Sequence, residues 1–252
     1  MLKKWKPAKW GRPKGEAQVG LLIRVGIDTQ TGGCVAPLFS DGTFEYIPIP
    51  HSPEHCPTSE KQTYTDIMGR SSRYLAEFTP PKYRNHHPHN DPEFTTFTYG
   101  DPAKEKAQKM SQLEKGDLLI FYAGLRKMAE TEKGKIRTYF IAYFTVEKVY
   151  DFRGKTKTVK ESYFSDVPNN AHSKLDRGCD EHNSLVIVKG KENTKESKLL
   201  SKALPLGDDK GWVLKDIISI LGWNEYILRS RGFWIDEEHC WTVKEYLLKD
   251  NS

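Results

Sequence analysis

Apolar and polar residues alternate along this chain with two different periods. "GLLIRVGI" (20–27) is a β-branched apolar run ending at Asp28 and the turn-forming "DTQTGG", which predicts a strand followed by a loop. "FEYIPIP" (44–50) alternates apolar with polar and is stopped by Pro48 and Pro50, so it predicts an edge strand or a strand end. "DLLIFYAGL" (117–125) and "TYFIAYFTVEKVYDF" (138–152) are apolar at odd and even positions alike, as strands buried on both faces are. The turn around Gly134 between them predicts an antiparallel pair. "SLVIVKG" (184–190) predicts a further strand.

Helical spacing appears in four places. Tyr64, Ile67, Met68, Leu75 and Phe78 predict a helix over 64–78, against Gly69 and a serine pair. "DPAKEKAQKMSQLEKG" (101–116) has Asp101 as cap, Pro102 at the first helical position, Ala103, Ala107, Met110 and Leu113 on one face, and Gly116 as stop. Residues 208–222 and 236–250 read as amphipathic helices, the second capped by Asp236. Such mixing without strict βαβ alternation predicts the α+β class: a mixed, mainly antiparallel sheet or partial barrel with flanking helices.

The length of 252 residues allows a sizeable core, and 37% hydrophobic with 12% aromatic residues excludes a disordered chain. The expected organisation is a basic, flexible N-terminal arm over 1–19 and a single domain over 20–250. Its first fifteen residues carry Lys3, Lys4, Lys6, Lys9, Arg12 and Lys14, six cations without an acid, which exceeds the whole chain's net charge of +5. The body is therefore nearly neutral. With Trp5 and Trp10 interleaved, such an arm suits phosphate backbones and stacked bases, and it equally suits a solvated terminus. No apolar stretch follows the lysines as a signal would require, and the longest apolar runs are too short to span a bilayer, so a cytoplasmic protein without membrane contact is expected. The four cysteines are scattered without a CxxC pair and read as free thiols.

Three segments offer chemistry. "HHPHNDPEFTTFTYGDP" (86–102) sets His87 and His89 in an HxH with Asp91 nearby, but Pro88 breaks the strand and no recognised metal spacing is present. It reads as a functional loop without a metal, with His89 and Asp91 as general acid and base; the alternative is a polar loop of Asx turns. "GIDTQTGG" offers Asp28 as a base or ribose ligand among hydroxyl and backbone donors, or a glycine turn capped by aspartate. Arg24, within the apolar run before it, requires an anionic partner, internal or bound. "NNAHSK" (169–174) presents His172, the first choice for proton transfer, beside Lys174. Tyr122 with Arg126, and Arg229 with Arg231 in "YILRSRG", pair arginine with aromatic rings as a grip on bases and phosphates, or as surface ion pairs. "CDEH" (179–182) and "EEHC" (237–240) match no known ligand spacing and are set aside.

The ordered set "RVGIDTQTGG", "APLFSDGTFEYIPIP", "HNDPEFTTFTYGD", "KGDLLIFYAGL", "NAHSK", "ALPLG" and "YILRSRGFW" resembles the nucleotide modification associated domain family, type three, from about Leu21 to about Leu247. The resemblance implies a connection to nucleic-acid base modification, without a reaction. It singles out Arg24, Asp28, Asp41, Glu45, His89, Asp91, Tyr99, Asp101, Tyr122, Arg126, His172, Arg229 and Ser230, with Lys174 where an arginine is expected. The central strand pair also looks like the core of PUA-like barrels, which bind RNA or flipped modified bases.

Three functions are consistent with these residues. In the first, an enzyme acts on a base, in DNA rather than RNA or in a free nucleotide, with Asp28 and His172 moving protons, Arg24 and Arg126 on phosphate, and Tyr122 or Tyr99 stacking on the base. In the second, the same pocket is a non-catalytic reader of a modified base. The third is a metal-dependent nuclease using Asp91, Glu93 and Asp101 with Lys104. No cofactor and no oligomeric state can be read from the sequence.

Overall fold

The computed structural model describes residues 11–26, 35–51, 57–128, 133–227 and 231–249. In chain order its strands and α-helices are β1 (Gly20–Arg24), β2 (Ala36–Leu38), β3 (Ile49–Pro50), β4 (Pro88–His89), β5 (Thr98–Asp101), α1 (Lys104–Met110), β6 (Leu118–Met128) and β7 (Lys133–Asp151). They continue with α2 (Lys157–Asp166), β8 (Val186–Gly190), β9 (Ser197–Gly207), α3 (Lys215–Leu221), β10 (Phe233–Ile235) and α4 (Glu237–Leu248). Eight strands form one mixed sheet in the order β10-β1-β6-β7-β8-β5, with β2 also on β6 and β9 also on β7; β3 and β4 pair separately. β1 and β2 run parallel to β6, and the other pairings are antiparallel. The chain is α+β, as expected.

The two strands apolar on both faces, β6 and β7, form the antiparallel centre. A register shift lets Phe121 pair with Ala142 but Tyr122 with Phe140. Since successive residues of a strand face opposite sides, Phe140 and Phe144 end on opposite faces of the sheet. Tyr246 of α4 covers Phe140, with ring centroids 6.0 Å apart. On the other face Phe94 and Phe97 cover Phe144, at 5.9 and 5.6 Å, and Phe121 stacks edge-on with Phe144 at 4.7 Å. The loop expected to be polar thus carries half of the core's lid. Phe97 adopts φ 55°, a left-handed conformation unusual for an aromatic residue, and its contact with Phe144 is what offsets the strain.

α4 begins where expected, with the Asp236 side chain accepting from the His239 N–H. The helix expected over 64–78 does not form. Tyr64 is buried with its hydroxyl donating to Pro48 O at 2.6 Å, and Leu75–Glu77 makes one 3-10 turn, so the spacing reflects two separate anchors of a loop. Residues 101–103 remain outside α1, with Asp101 ending β5 and accepting from the Ala103 N–H. α3 is shorter than expected because Asp208 folds residues 208–212 into a turn, accepting from the Lys210 and Trp212 N–H groups. Among the described residues no helix is long and apolar enough to cross a membrane. Cys179 is disulfide-bonded, contrary to the expectation of free thiols, whereas Cys240 is a buried free thiol. Cys34 and Cys56 lie outside the described residues.

The part of the N-terminal arm that is described is docked. Arg12 donates through Nε and Nη2 to both carboxylate oxygens of Asp117, at 3.1 and 3.0 Å, and its backbone N–H donates to Gln112. Asp117, fully buried, also accepts from the Val19 and Glu114 N–H groups. Arg12 is therefore spent on this clasp rather than on phosphate, while Lys14 is exposed; Lys3, Lys4, Trp5, Lys6, Lys9 and Trp10 lie outside the described residues. An Asp117→Ala substitution strands a half-buried guanidinium and two backbone donors, so it is expected to cost about 3 kcal/mol. Urea denaturation measures this, and a midpoint equal to the parent's would show the clasp to be dispensable.

Candidate functional site

The loop after β4 and the segment after α2 meet across the end of β5. Phe164 of α2 is anchored in a small second core with Tyr150, Phe152, Val167, Leu185 and Ile187. Pro168 follows the helix end, and Asn170 then caps a 3-10 turn, Ala171–Lys174, by accepting from the His172 N–H at 3.0 Å. This turn lays His172 over Gly100. A Cβ at Gly100 would sit 2.7 Å from His172 Cδ2 and 3.2 Å from Ile187 Cγ1, so only glycine fits there.

Asp91 is held from three sides. Its carboxylate accepts from the Gly100 N–H at 2.9 and 3.1 Å and from Asn170 Nδ2 at 3.1 Å, while its backbone carbonyl accepts from the Tyr46 hydroxyl at 2.7 Å. His172 Nε2 lies 3.4 Å from Asp91 Oδ2, and Nδ1 lies 3.3 Å from Glu181 Oε2. The His89 ring stands edge-on to His172 at 4.6 Å and stacks with His51 at 6.3 Å. One ligating atom from each of His89, Asp91 and His172 lies within 4.8 Å of the others. Two imidazoles and a carboxylate are thus gathered where the core alone would place apolar side chains.

Burial sets the electrostatics. It pushes the Asp91 carboxyl up to about 6, against the opposing pull of His172. It would push His172 down as well, but Asp91 and Glu181 outweigh it and raise the imidazole to about 9. Burial, with smaller contributions from the neighbouring His172 and His51 rings, drives His89 well below the ordinary histidine value. The proton belongs on His172, since two carboxylates flank that ring alone.

Of the expected site residues, the structure brings together His89, Asp91, His172 and Lys174. Lys174 Nζ pairs with Glu60 at 2.7 Å, and both line a narrow cleft with His51, His89, Asn90 and Ala171. Across Asn90 lies a larger pocket of about 220 Å³, bordered by Tyr46, Pro48, Gln62, Ile67 and Met68. His87 does not join His89; its Nδ1 meets the Gln62 carbonyl.

Several of the other expected residues hold the fold together. Tyr99 and Tyr122 are buried, their hydroxyls donating to Asp101 and to the Ile227 carbonyl, so neither ring is open to a base. Glu45 accepts from the Arg70 and Ser71 N–H groups, and Asp41 holds a turn through Thr43. Glu93 binds the Thr96 N–H, and Asp101 pairs with Lys106, so the carboxylates proposed for a nuclease do not converge. Arg24 and Arg126 are half-buried at the far ends of β1 and β6, and Arg231 precedes β10. Asp28, Arg229 and Ser230 lie outside the described residues.

Sequence reasoning missed Asn170, Glu181 and His182. The last two belong to the "CDEH" segment, whose spacing matches nothing because each side chain meets His172 rather than its neighbours; His182 Nε2 faces the His172 carbonyl at 3.1 Å. In "EEHC", His239 is tied to Asp236 at 2.6 Å as part of the α4 cap.

A family model described as nucleotide modification associated domain 3 matches residues 20–219. No curated protein matches the chain. Among solved structures, the N-terminal domain of Thermococcus gammatolerans McrB bound to m5C DNA aligns with 61% of this chain and 70% of its own at 17% identity. Its TM-score of 0.30 is too low to inform the fold or the site.

The His172 proton is bound more tightly in the fold than in the unfolded chain. Its stabilisation is complete below about 6.5 and is lost as pH rises through about 9. Asp91, also raised, loses its contribution earlier, as pH climbs from 3.8 to about 6. Between pH 6.5 and 9 the unfolding free energy in EDTA buffer is therefore expected to fall by on the order of 2 kcal/mol. His172→Gln should flatten this slope; an equal slope in that variant, followed by urea titration at each pH, would assign it elsewhere.

Proposed function

The chain belongs to the nucleotide modification associated domain 3 family, and from that premise we propose that it is an enzyme acting on a nucleobase, with His89, Asp91 and His172 as its reactive centre. The observation carrying this reading is the buried cluster itself. Its aspartate is bedded in hydrogen bonds from Gly100, Asn170 and Tyr46, with the two histidines against it, beside a cleft bearing Lys174. Burying interacting charges is costly for stability, and such clusters with opposed proton affinities concentrate at functional sites.

The base is assigned to the pocket across Asn90. A volume of about 220 Å³ exceeds the roughly 150 Å³ that accepts benzene in a known engineered cavity, so one aromatic ring fits. Pro48, Ile67 and Met68 supply an apolar wall, and Gln62 and Asn90 supply amide donors and acceptors for a base edge. Asn90 borders both cavities, so a base in the larger one would lie next to the cluster. DNA and free nucleotides are both compatible with this arrangement. Lysines 3, 4, 6 and 9 and the neighbouring tryptophans would add affinity for a polynucleotide.

The test incubates the full chain with DNA oligonucleotides and nucleotides, unmodified and modified, and analyses the nucleosides by mass spectrometry. Asp91→Asn and His172→Gln are expected to lower turnover by about 10²- to 10⁴-fold while affinity, read by fluorescence anisotropy, changes only a few-fold. If no substrate turns over and both variants instead lose affinity for one modified base, the protein is a reader.

A further inference from the structure

We propose that His89, Asp91 and His172 bind a divalent transition-metal ion. This goes beyond the proposed reaction and uses none of the reasoning about a base; only the three side chains are shared.

The geometry is the first support. His172 Nε2 and Asp91 Oδ2 are 3.4 Å apart, longer than the about 2.7–2.9 Å of a charge-assisted hydrogen bond. It is, however, close to the ligand–ligand edge of a tetrahedron with metal bonds of about 2.0–2.1 Å. The third ligand atom, on His89, lies within 4.8 Å of both, so a closure of at most about 1.5 Å by one side chain completes a triangle of ligands. The three come from two separate segments that Gly100 and Asn170 lock together.

The second support is the layer behind the ligands. Metal-bound imidazoles commonly present their other nitrogen to a carboxylate, and metal-bound carboxylates are themselves hydrogen-bonded. Glu181 stands behind His172 Nδ1 at 3.3 Å, and that buried nitrogen has no aligned hydrogen-bond partner. Asp91 is braced by the Gly100 N–H and Asn170 Nδ2. With both imidazoles neutral, Asp91 and Glu181 supply two negative charges against the two positive charges of the ion.

The donor set decides the class of metal. Two nitrogens and one carboxylate suit zinc or iron(II), rather than calcium or magnesium, which prefer all-oxygen shells. Three protein ligands leave at least one position for water or substrate. His89 lines the cleft with Lys174 and Glu60, so the open side faces that cleft.

The experiment uses the untagged full chain, stripped with chelator, desalted, and equilibrated separately with Zn²⁺ and Co²⁺. Elemental analysis after gel filtration should find about one equivalent, and the Co²⁺ form should show the visible bands of a low-coordinate site. Zn²⁺ should also raise the melting temperature, since the ion binds the folded state. His89→Ala, at a half-buried position, should lose the bound metal and the bands, and Glu181→Gln should weaken binding about 10- to 100-fold. His87→Ala, whose ring lies outside the cluster, should bind as the parent does. Less than about one tenth of an equivalent in the parent, or parental binding by His89→Ala with its circular dichroism unchanged, overturns the site. Turnover by a chain that retains neither Zn²⁺ nor Co²⁺ would overturn this inference while leaving the proposed reaction intact.

Discussion

A pair of central strands with apolar side chains on both faces must be covered twice, and most of this molecule follows from how the second cover is made. The register shift between β6 and β7 sends Phe140 to one side and Phe144 to the other. Tyr246 on α4 covers the first in the ordinary way, by an amphipathic helix. The second is covered by Phe94 and Phe97 on a loop. Because the apolar half of that loop is committed to the core, its polar half, His89 to Asp91, is fixed in place with the precision of core packing. A loop so anchored can present buried polar groups that a solvated loop could not hold.

The site shows the same economy from the other direction. Asp91 uses the Gly100 N–H as its principal donor, and Gly100 lacks the Cβ that would exclude His172. One glycine therefore does two separable things, binding one member of the cluster and admitting another. Glu181 arrives through the segment next to the Cys179 disulfide, and Asn170 through the stop of α2. They belong to two stretches of chain, 89–100 and 170–181, that are distant from each other in sequence.

That dispersal explains which features could be read before the structure was known. The central strands, the α4 cap and the choice of His89, Asp91 and His172, whose side chains the structure brings close together, depend on local patterns or an ordered family resemblance and are legible in the sequence. Partners set by tertiary approach were not: Glu181 looked like a stray acid, and His87 looked like the natural mate of His89. The apolar spacing over 64–78 misled for a related reason. Tyr64 and Leu75 are buried by different contacts, which imitates helical periodicity without any helical hydrogen bonding. Tyr99 and Tyr122 show the converse, aromatic groups that the sequence offers for stacking but that the core claims through hydroxyl bonds at 2.9 and 2.7 Å.

β5 is the last strand of the sheet, four residues long, and its open edge has no further strand beside it among those described. That edge carries one isolated bridge, Thr98 to Glu93, and Asn170 Nδ2 donates to Thr98 Oγ1 at 3.2 Å, so one bridge and a side-chain contact stand in for a neighbouring strand. Since Gly100 sits in the middle of β5, detaching it releases Asp91 and removes the floor beneath His172 at once. The cluster thus exists only in the closed state of one short strand. The geometry of the cluster therefore depends on four residues at the sheet edge rather than on the central strand pair.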